Sequence, residues 1–171
     1  HKPEERDKLS ISISGLIPGM AVHYAGCCHP LPGEKILGIV NTGKGVTIHT
    51  TDCVELEQYV DQPERWIDVN WEVPTDDEVF VGRFKATLSH RKGALGSVSN
   101  TIAQAEGNIN NLRIINRSPD FFDIIMDVEV HDLEHLEKIM QVLRSKKDVH
   151  DVERYKDCLL YTSDAADELL G

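Results

Sequence analysis

The sequence predicts an α+β fold in two parts: a small β-rich module carrying cysteine and histidine, then a domain of element order βαββαβ. Three observations predict it. Three of the four cysteines fall within residues 27–53, in a stretch punctuated by Pro and Gly. Residues 122–130 alternate, with Phe122, Ile124, Met126, Val128 and Val130 on one side and Asp123, Ile125, Asp127 and Glu129 on the other. This period of two marks a strand with one face against a core. Two stretches, Leu95 to Ala105 and Leu133 to Leu143, instead space their apolar residues at helical intervals.

The elements follow in chain order. Residues 1–9 are polar and read as a linker. Ser10 to Ser14 alternates as a short strand that Gly15 ends. Gly26-Cys27-Cys28-His29-Pro30-Leu31-Pro32-Gly33 holds two prolines and two glycines, which forbid regular structure. Ile36 to Val40 and Val46 to His49 read as two strands. The glycines of Asn41-Thr42-Gly43-Lys44-Gly45 supply the positive φ of a hairpin between them. Asp52 to Tyr59 reads as a short helix. Trp66 to Trp71 reads as a strand with Ile67, Val69 and Trp71 on one face. The module is thus assigned to 10–73 and a polar, proline-containing linker to 74–79.

The second domain is assigned to 80–156. Phe84, Ala86 and Leu88 alternate as its first strand. Leu95, Val98, Ile102 and Ala105 form the first helix, with Gly107 placed to stop it at C′. Asn108 to Ile115 is the second strand, Asn116 to Asp120 a turn, and Phe122 to Val130 the third strand. Asp132 caps a helix carrying Leu133, Leu136, Ile139, Met140 and Leu143, and Val149 to Tyr155 is the last strand. This is the ferredoxin-like split βαβ order. One sheet face lies under two helices, and the Asp123/Asp127/Glu129 row reads as the solvated side.

Composition narrows the function. The net charge is −11, which disfavours nonspecific nucleic-acid binding, since that needs cations on phosphates. The charge is uneven: residues 1–81 carry −8, residues 82–148 carry +1 and residues 149–171 carry −4. A basic patch in the second half therefore stays open to docking on structured RNA. No apolar run approaches the roughly 20 residues of a membrane helix. The polar start resembles no signal peptide. It lacks an initiator Met, which predicts a chain that begins inside a larger protein. Clustered Cys without an export signal points to a reducing, cytoplasmic setting.

Cys27, Cys28, His49 and Cys53 form the sharpest constellation. Thiolate and imidazole are zinc's preferred donors, and four of them close a structural site. The spacing differs from a CxxC…HxxxH finger, and the alternative is cysteines packed as small hydrophobes. His23, His29 and Asp52 are ancillary candidates. Gly43-Lys44-Gly45 departs from the phosphate-loop pattern, because Val46 follows. Ser89 to Leu95 joins a strand to a helix N-terminus, where free N–H groups suit a carboxylate. Arg91 and Lys92 add positive charge, and Gly93 allows close approach; the alternative is an ordinary loop with solvated cations. No carboxylate pair is placed for acid/base work, so no catalytic residue is assigned.

Gly19 to Glu34, with Cys27-Cys28-His29-Pro30-Leu31-Pro32-Gly33 at its centre, resembles the conserved-cysteine, zinc-finger-like module of long RelA/SpoT-type proteins. Gly43 to Cys53 continues the resemblance, and residues 80–155 resemble the ACT domain that follows in that family. The likeness spans residues 10–156. It implies a regulatory, non-catalytic fragment of a bacterial (p)ppGpp synthetase/hydrolase of the stringent response. It further implies Zn(2+) on Cys27, Cys28, His49 and Cys53. It implies an amino acid bound by Arg91, Lys92, Gly93, Ala94 and Leu95, with Asn108 and Ile109, and a homodimer through the ACT domain. Other implied partners are the upstream catalytic domains and the ribosome or tRNA. Two positions depart from the pattern: Glu34 replaces an Asp, and His90 replaces the acidic residue of the ACT loop, removing a group that would face a ligand's ammonium. Residues 157–171 resemble a translated sequencing adapter and are expected to be non-native, Cys158 included. A thiol or zinc enzyme is the third reading, and it requires an open metal position.

Overall fold

The computed structural model describes residues 13–72 and 78–156. The stretches 1–12, 73–77 and 157–171 lie outside the described residues, and with them the linker read at 1–9, residues 74–77 of the linker read at 74–79, and the tail. The chain divides into two compact units, the second being Val79–Tyr155.

The first unit holds strands β1 (Ile13–Ser14), β2 (Val22–Tyr24), β3 (Ile36–Asn41), β4 (Gly45–Thr50), β5 (Trp66–Ile67) and β6 (Asn70–Trp71). Four of them form a sheet of order β2-β4-β3-β5, and β1 pairs with β6. The β3–β4 hairpin turns through Gly43 and Gly45, at φ 76° and 96°. A side chain at Gly45 would also strike the Ala21 carbonyl. Strand β2, which periodicity does not reveal, lies parallel to β4. Three residues are too few to display a period.

The Trp66–Trp71 stretch is two short strands rather than one. Ile67 pairs with Gly38 of β3, whereas Trp71 pairs with Ile13 of β1. The chain changes sheets at Asp68 and Val69, yet Ile67, Val69 and Trp71 all pack on one apolar cluster with Ile36, Val46 and Ile48. The shared core explains why their alternation resembles a single strand. The short helix after Cys53 is a 3₁₀ helix, Val54–Tyr59, burying Leu56.

The second unit is β7 (Phe80–Ser89), α1 (Ala94–Gln104), β8 (Asn108–Arg117), β9 (Phe121–Val130), α2 (Leu133–Arg144) and β10 (Val149–Arg154). Its antiparallel sheet has the order β10-β7-β9-β8, the ferredoxin-like arrangement. Phe84, Ala86, Leu88, Ile124, Met126 and Val128 are fully buried with Val98, Ile102, Leu136, Ile139 and Leu143 of the helices. Asp132 caps α2, its Oδ1 accepting from the His135 amide at 2.8 Å.

The end of α1 and the acidic row of β9 also differ from the sequence expectation. Gly107 is not the left-handed residue that ends α1; Glu106 takes that conformation at φ 68°. The Glu106 amide donates to Ala103 and the Gly107 amide to Ile102, the two bonds of a Schellman motif. Gly107 is needed for space instead, since a Cβ there would sit 2.9 Å from Ile102, Ile139 and Val128. The acidic row of β9 is likewise not merely solvated. Asp127 is buried, and Arg83 Nε and a terminal nitrogen grip its two oxygens at 2.6 and 2.9 Å. Asp123 accepts from Thr87 and Asn116 at 2.6 and 2.9 Å.

An L-residue in the left-handed region costs about 1–2 kcal/mol that glycine avoids. Glu106→Gly should therefore raise stability by about 1 kcal/mol, whereas Gly107→Ala should lower it through overpacking. Urea unfolding of the two variants checks the opposite signs.

Candidate metal centre and ligand loop

Alternation along β4 sets up the first site. Val46 and Ile48 face one core, so His49 faces the other side of the sheet, where Ile39, Cys28 and Cys53 form a second cluster. The loop after β2 brings Cys27 and Cys28 over this face. It is held by the His29 amide on the Ala25 carbonyl, with His29 itself at φ 46°. The Leu31 amide donates to Glu34 Oε1 at 2.9 Å, so the residue that replaces Asp in the resemblance still closes the turn. Cys53 reaches the same cluster as the N-cap residue of the 3₁₀ helix.

The donor atoms of Cys27, Cys28, His49 and Cys53 all lie within 4.8 Å of one another. Cys27 Sγ is 3.5 Å from Cys53 Sγ and 3.8 Å from His49 Nδ1; Cys28 Sγ is 3.9 Å from that nitrogen. A tetrahedral ion with metal–sulfur bonds of about 2.3 Å sets ligand atoms about 3.8 Å apart. The residues present therefore fit a metal ion in separation and in donor chemistry. Cys28, Cys53 and His49 are buried. None of the three cysteines is in a disulfide.

Cys28 is placed to be the thiolate of the group. Hydrogen bonds from Cys27 and Cys53, and then from His49 and the Thr50 amide, outweigh burial and hold it far below the ordinary thiol range. Cys53 moves the other way, raised by its contacts with Cys27 and Cys28 and by burial. The Thr50 amide lies 3.4 Å from Cys28 Sγ, and the Thr50 hydroxyl donates to Asp52 at 2.8 Å. Thr50 thus supports the site, and as a backbone donor it leaves no signature in the sequence. Asp52, His23 and His29 do not join the cluster of donors; His23 Nε2 meets the Lys44 carbonyl at 3.1 Å instead.

The loop between β7 and α1 is the second candidate. Gly93 caps α1 in the left-handed region at φ 86°. Arg91 and Lys92 are exposed, Leu95 is half-buried, and Ala94 is buried. His90 is committed to the scaffold: its Nδ1–H donates to the Ser118 carbonyl at 2.9 Å and its amide to Asp120. Arg91 Nε lies 3.4 Å from Asp148 Oδ1, a partner not legible from the loop motif. Asn108 and Ile109 lie elsewhere. They pair with Glu129 and Val128, near the far end of β9 from Phe121, the residue that pairs with Ser89 beside the loop. Ten residues of strand separate the two ends by about 30 Å. One chain does not bring the two halves of this candidate site together.

Fold and site define a two-part protein in which a Cys/His module able to hold a metal ion precedes a ferredoxin-like domain. Residues 11–72 match the family described as the RelA/SpoT RIS domain, and residues 76–154 match the ACT domain. The chain belongs to the RelA/SpoT family.

It is 36% identical over 152 residues to the GTP pyrophosphokinase rsh of Brucella ovis, covering 86% of this chain and 20% of that protein. It is 30% identical over 139 residues to the bifunctional (p)ppGpp synthase/hydrolase SpoT of Escherichia coli K12, covering 81% of this chain and 20% of that protein. The chain thus spans about a fifth of the length of the curated relatives it matches. Among solved structures it is similar to the ACT domain from the GTP pyrophosphokinase of Chlorobium tepidum, at 21% identity and a TM-score of 0.40. That match covers 45% of this chain and 99% of the other. No helix among the described residues is long and apolar enough to cross a membrane.

Cobalt(II), a coloured probe for tetrahedral thiolate sites, should bind at one equivalent with a strong thiolate charge-transfer band. Affinity should fall as pH drops, because protons compete for the ligands. His49→Ala should weaken binding by more than the 10–100-fold that outer-shell changes typically cost.

Proposed function

We propose that this chain is a regulatory segment of a (p)ppGpp synthetase/hydrolase of the stringent response. In this reading Cys27, Cys28, His49 and Cys53 hold Zn(2+) as a closed structural centre, which fixes the module's loops and leaves no position for substrate. The ACT domain binds an amino acid and controls catalytic domains elsewhere in the parent protein, in the cytoplasm. The observation that carries the reading is the succession of a RIS and an ACT domain in a chain similar to enzymes named for making or hydrolysing (p)ppGpp.

The ligand is read as an amino acid whose carboxylate meets the α1 N-terminus and Arg91, with Lys92, Gly93, Ala94 and Leu95 completing the loop. Asn108 and Ile109 join that site only from a second copy. Strand β8 is an edge of its sheet. Antiparallel pairing of two β8 strands would set one copy's Asn108 beside the other's Arg117, at the end where the loop lies. A homodimer through the ACT domain is therefore part of the proposal.

Docking on ribosome or tRNA is a second reading, favoured by one observation. Arg91, Lys92, Arg117 and Lys147 are exposed, and pairing of Ser89 with Phe121, of Arg117 with Phe122, and of the Ser89 amide with Asp148 gathers them at one end of the sheet. Arg113 and the half-buried Lys146 complete the cations available to phosphate.

Thermal unfolding against a panel of amino acids at millimolar concentration tests the first reading. A ligand at 100 times its Kd should add about 2.7 kcal/mol of stability, and Arg91→Ala should remove the shift while leaving the unliganded melting temperature in place. A flat response across the panel would remove the sensing role. Under the second reading, tRNA binding weakens steeply with salt; binding that ignores salt counts against it.

A further inference from the structure

Cys27 and Cys53 come from segments 26 residues apart, yet their sulfurs stand 3.5 Å apart, closer than either Cys27 or Cys28 comes to the His49 ring nitrogen. Their surroundings differ in a way that matters for oxidation. Cys27 is partly exposed, whereas Cys28 and Cys53 are buried at 1% and 4% exposure. A soluble oxidant therefore meets Cys27 first, and Cys53 lies next to the sulfur it attacks. This is the arrangement of an accessible thiol beside a resolving one.

We propose that Cys27 and Cys53 are a reactive dithiol that a hydroperoxide converts to an intramolecular disulfide, expelling any metal ion the cluster holds. The Cys27 thiolate attacks one peroxide oxygen. The O–O bond breaks, leaving Cys27 as a sulfenic acid, and the second oxygen departs as water or alcohol after taking a proton. Cys53 then attacks the Cys27 sulfur and gives up its thiol proton. The S–S bond forms, and the sulfenic oxygen leaves as hydroxide, which takes up the proton Cys53 gave. Two thiols lose two electrons, and one peroxide is reduced by two.

Cys28 is the wrong partner. Neighbouring Cα atoms lie about 3.8 Å apart, below the usual 4.4–6.8 Å across a disulfide. A Cys27–Cys28 bridge would thus close a strained ring through the intervening peptide. Cys28 is also engaged by the Thr50 amide. Once Cys27 and Cys53 are joined, only Cys28 and His49 remain as donors, too few to hold a tetrahedral ion. The metal-release half of the proposal rests on the zinc reading above; the disulfide does not.

The test uses the full chain with Cys158→Ser, so that the cysteine outside the described residues cannot exchange. Hydrogen peroxide is the probe, applied to metal-free and zinc-loaded protein. Trypsin cuts after Lys35 and Lys44, so Cys27 and Cys53 fall on separate peptides joined only by a disulfide. Unreduced mass spectrometry should find that joined pair, lighter by two hydrogens and separated by dithiothreitol. The pair should be lost in Cys27→Ser and Cys53→Ser and kept in Cys28→Ser. Cys27 and Cys28 share the Leu9–Lys35 peptide, so fragmentation of the joined pair between these two residues assigns the bridge on unsubstituted protein and decides the matter even where a serine variant fails to fold. In the zinc arm, a chromogenic chelator should register one ion released per disulfide. Overoxidation of Cys27 without a cross-link, a bridge through Cys28, or no reaction of the pair overturns the proposal. A disulfide in protein that never bound zinc leaves the dithiol standing and removes the zinc reading. Zinc binding without a disulfide does the reverse.

Discussion

Four donor atoms brought within 4.8 Å of one another set the organisation of the first unit. About sixty residues bury too little apolar surface to hold long loops in place by packing alone. The loop carrying Cys27 and Cys28 and the turn carrying Cys53 share no regular structure; they meet over one face of the four-stranded sheet. His49 arrives there because its strand neighbours Val46 and Ile48 fill the opposite core. Thiols and an imidazole crowded this closely lose water and repel as their thiolates form. A bound cation compensates both terms at once.

The second unit rests on a different principle. Its sheet and helices are specified by a strict apolar alternation and two amphipathic stripes, and it closes without special chemistry. Where it departs from simple rules, the departures are compensated locally. Glu106 takes the left-handed position that closes α1, and Gly107 follows it because three side chains there leave no room for a Cβ. Arg83 and Asp127 form a two-pronged pair across neighbouring strands. Desolvation offsets much of the attraction in such a pair, so removing one partner would cost more than the pair itself contributes.

The two candidate sites differ in how complete they are within one chain. The four donors able to hold a metal ion come from a single module. The loop before α1 carries exposed cations beside a helix N-terminus, but Asn108 and Ile109 lie a strand's length away. A single copy therefore presents half of the site that the family resemblance implies, and the exposed edge β8 is where the other half would join. The same end of the sheet gathers exposed cations, so small-ligand binding and phosphate contact would compete for common ground.

The sequence by itself determined the α+β class, the order βαββαβ, the two amphipathic helices, the Asp132 cap and the β3–β4 hairpin. These follow from periodicity and turn chemistry, which act over a few residues. It also marked Cys27, Cys28, His49 and Cys53 as a group. Only the tertiary structure decided that the four meet, that Thr50 supports Cys28, and that Trp66–Trp71 serves two sheets around one core. It also decided that the acidic row of β9 carries a buried ion pair and that His90 ties down its loop. Those outcomes depend on which residues become neighbours across 20 to 60 positions of chain. Local patterns hold no record of distances through space.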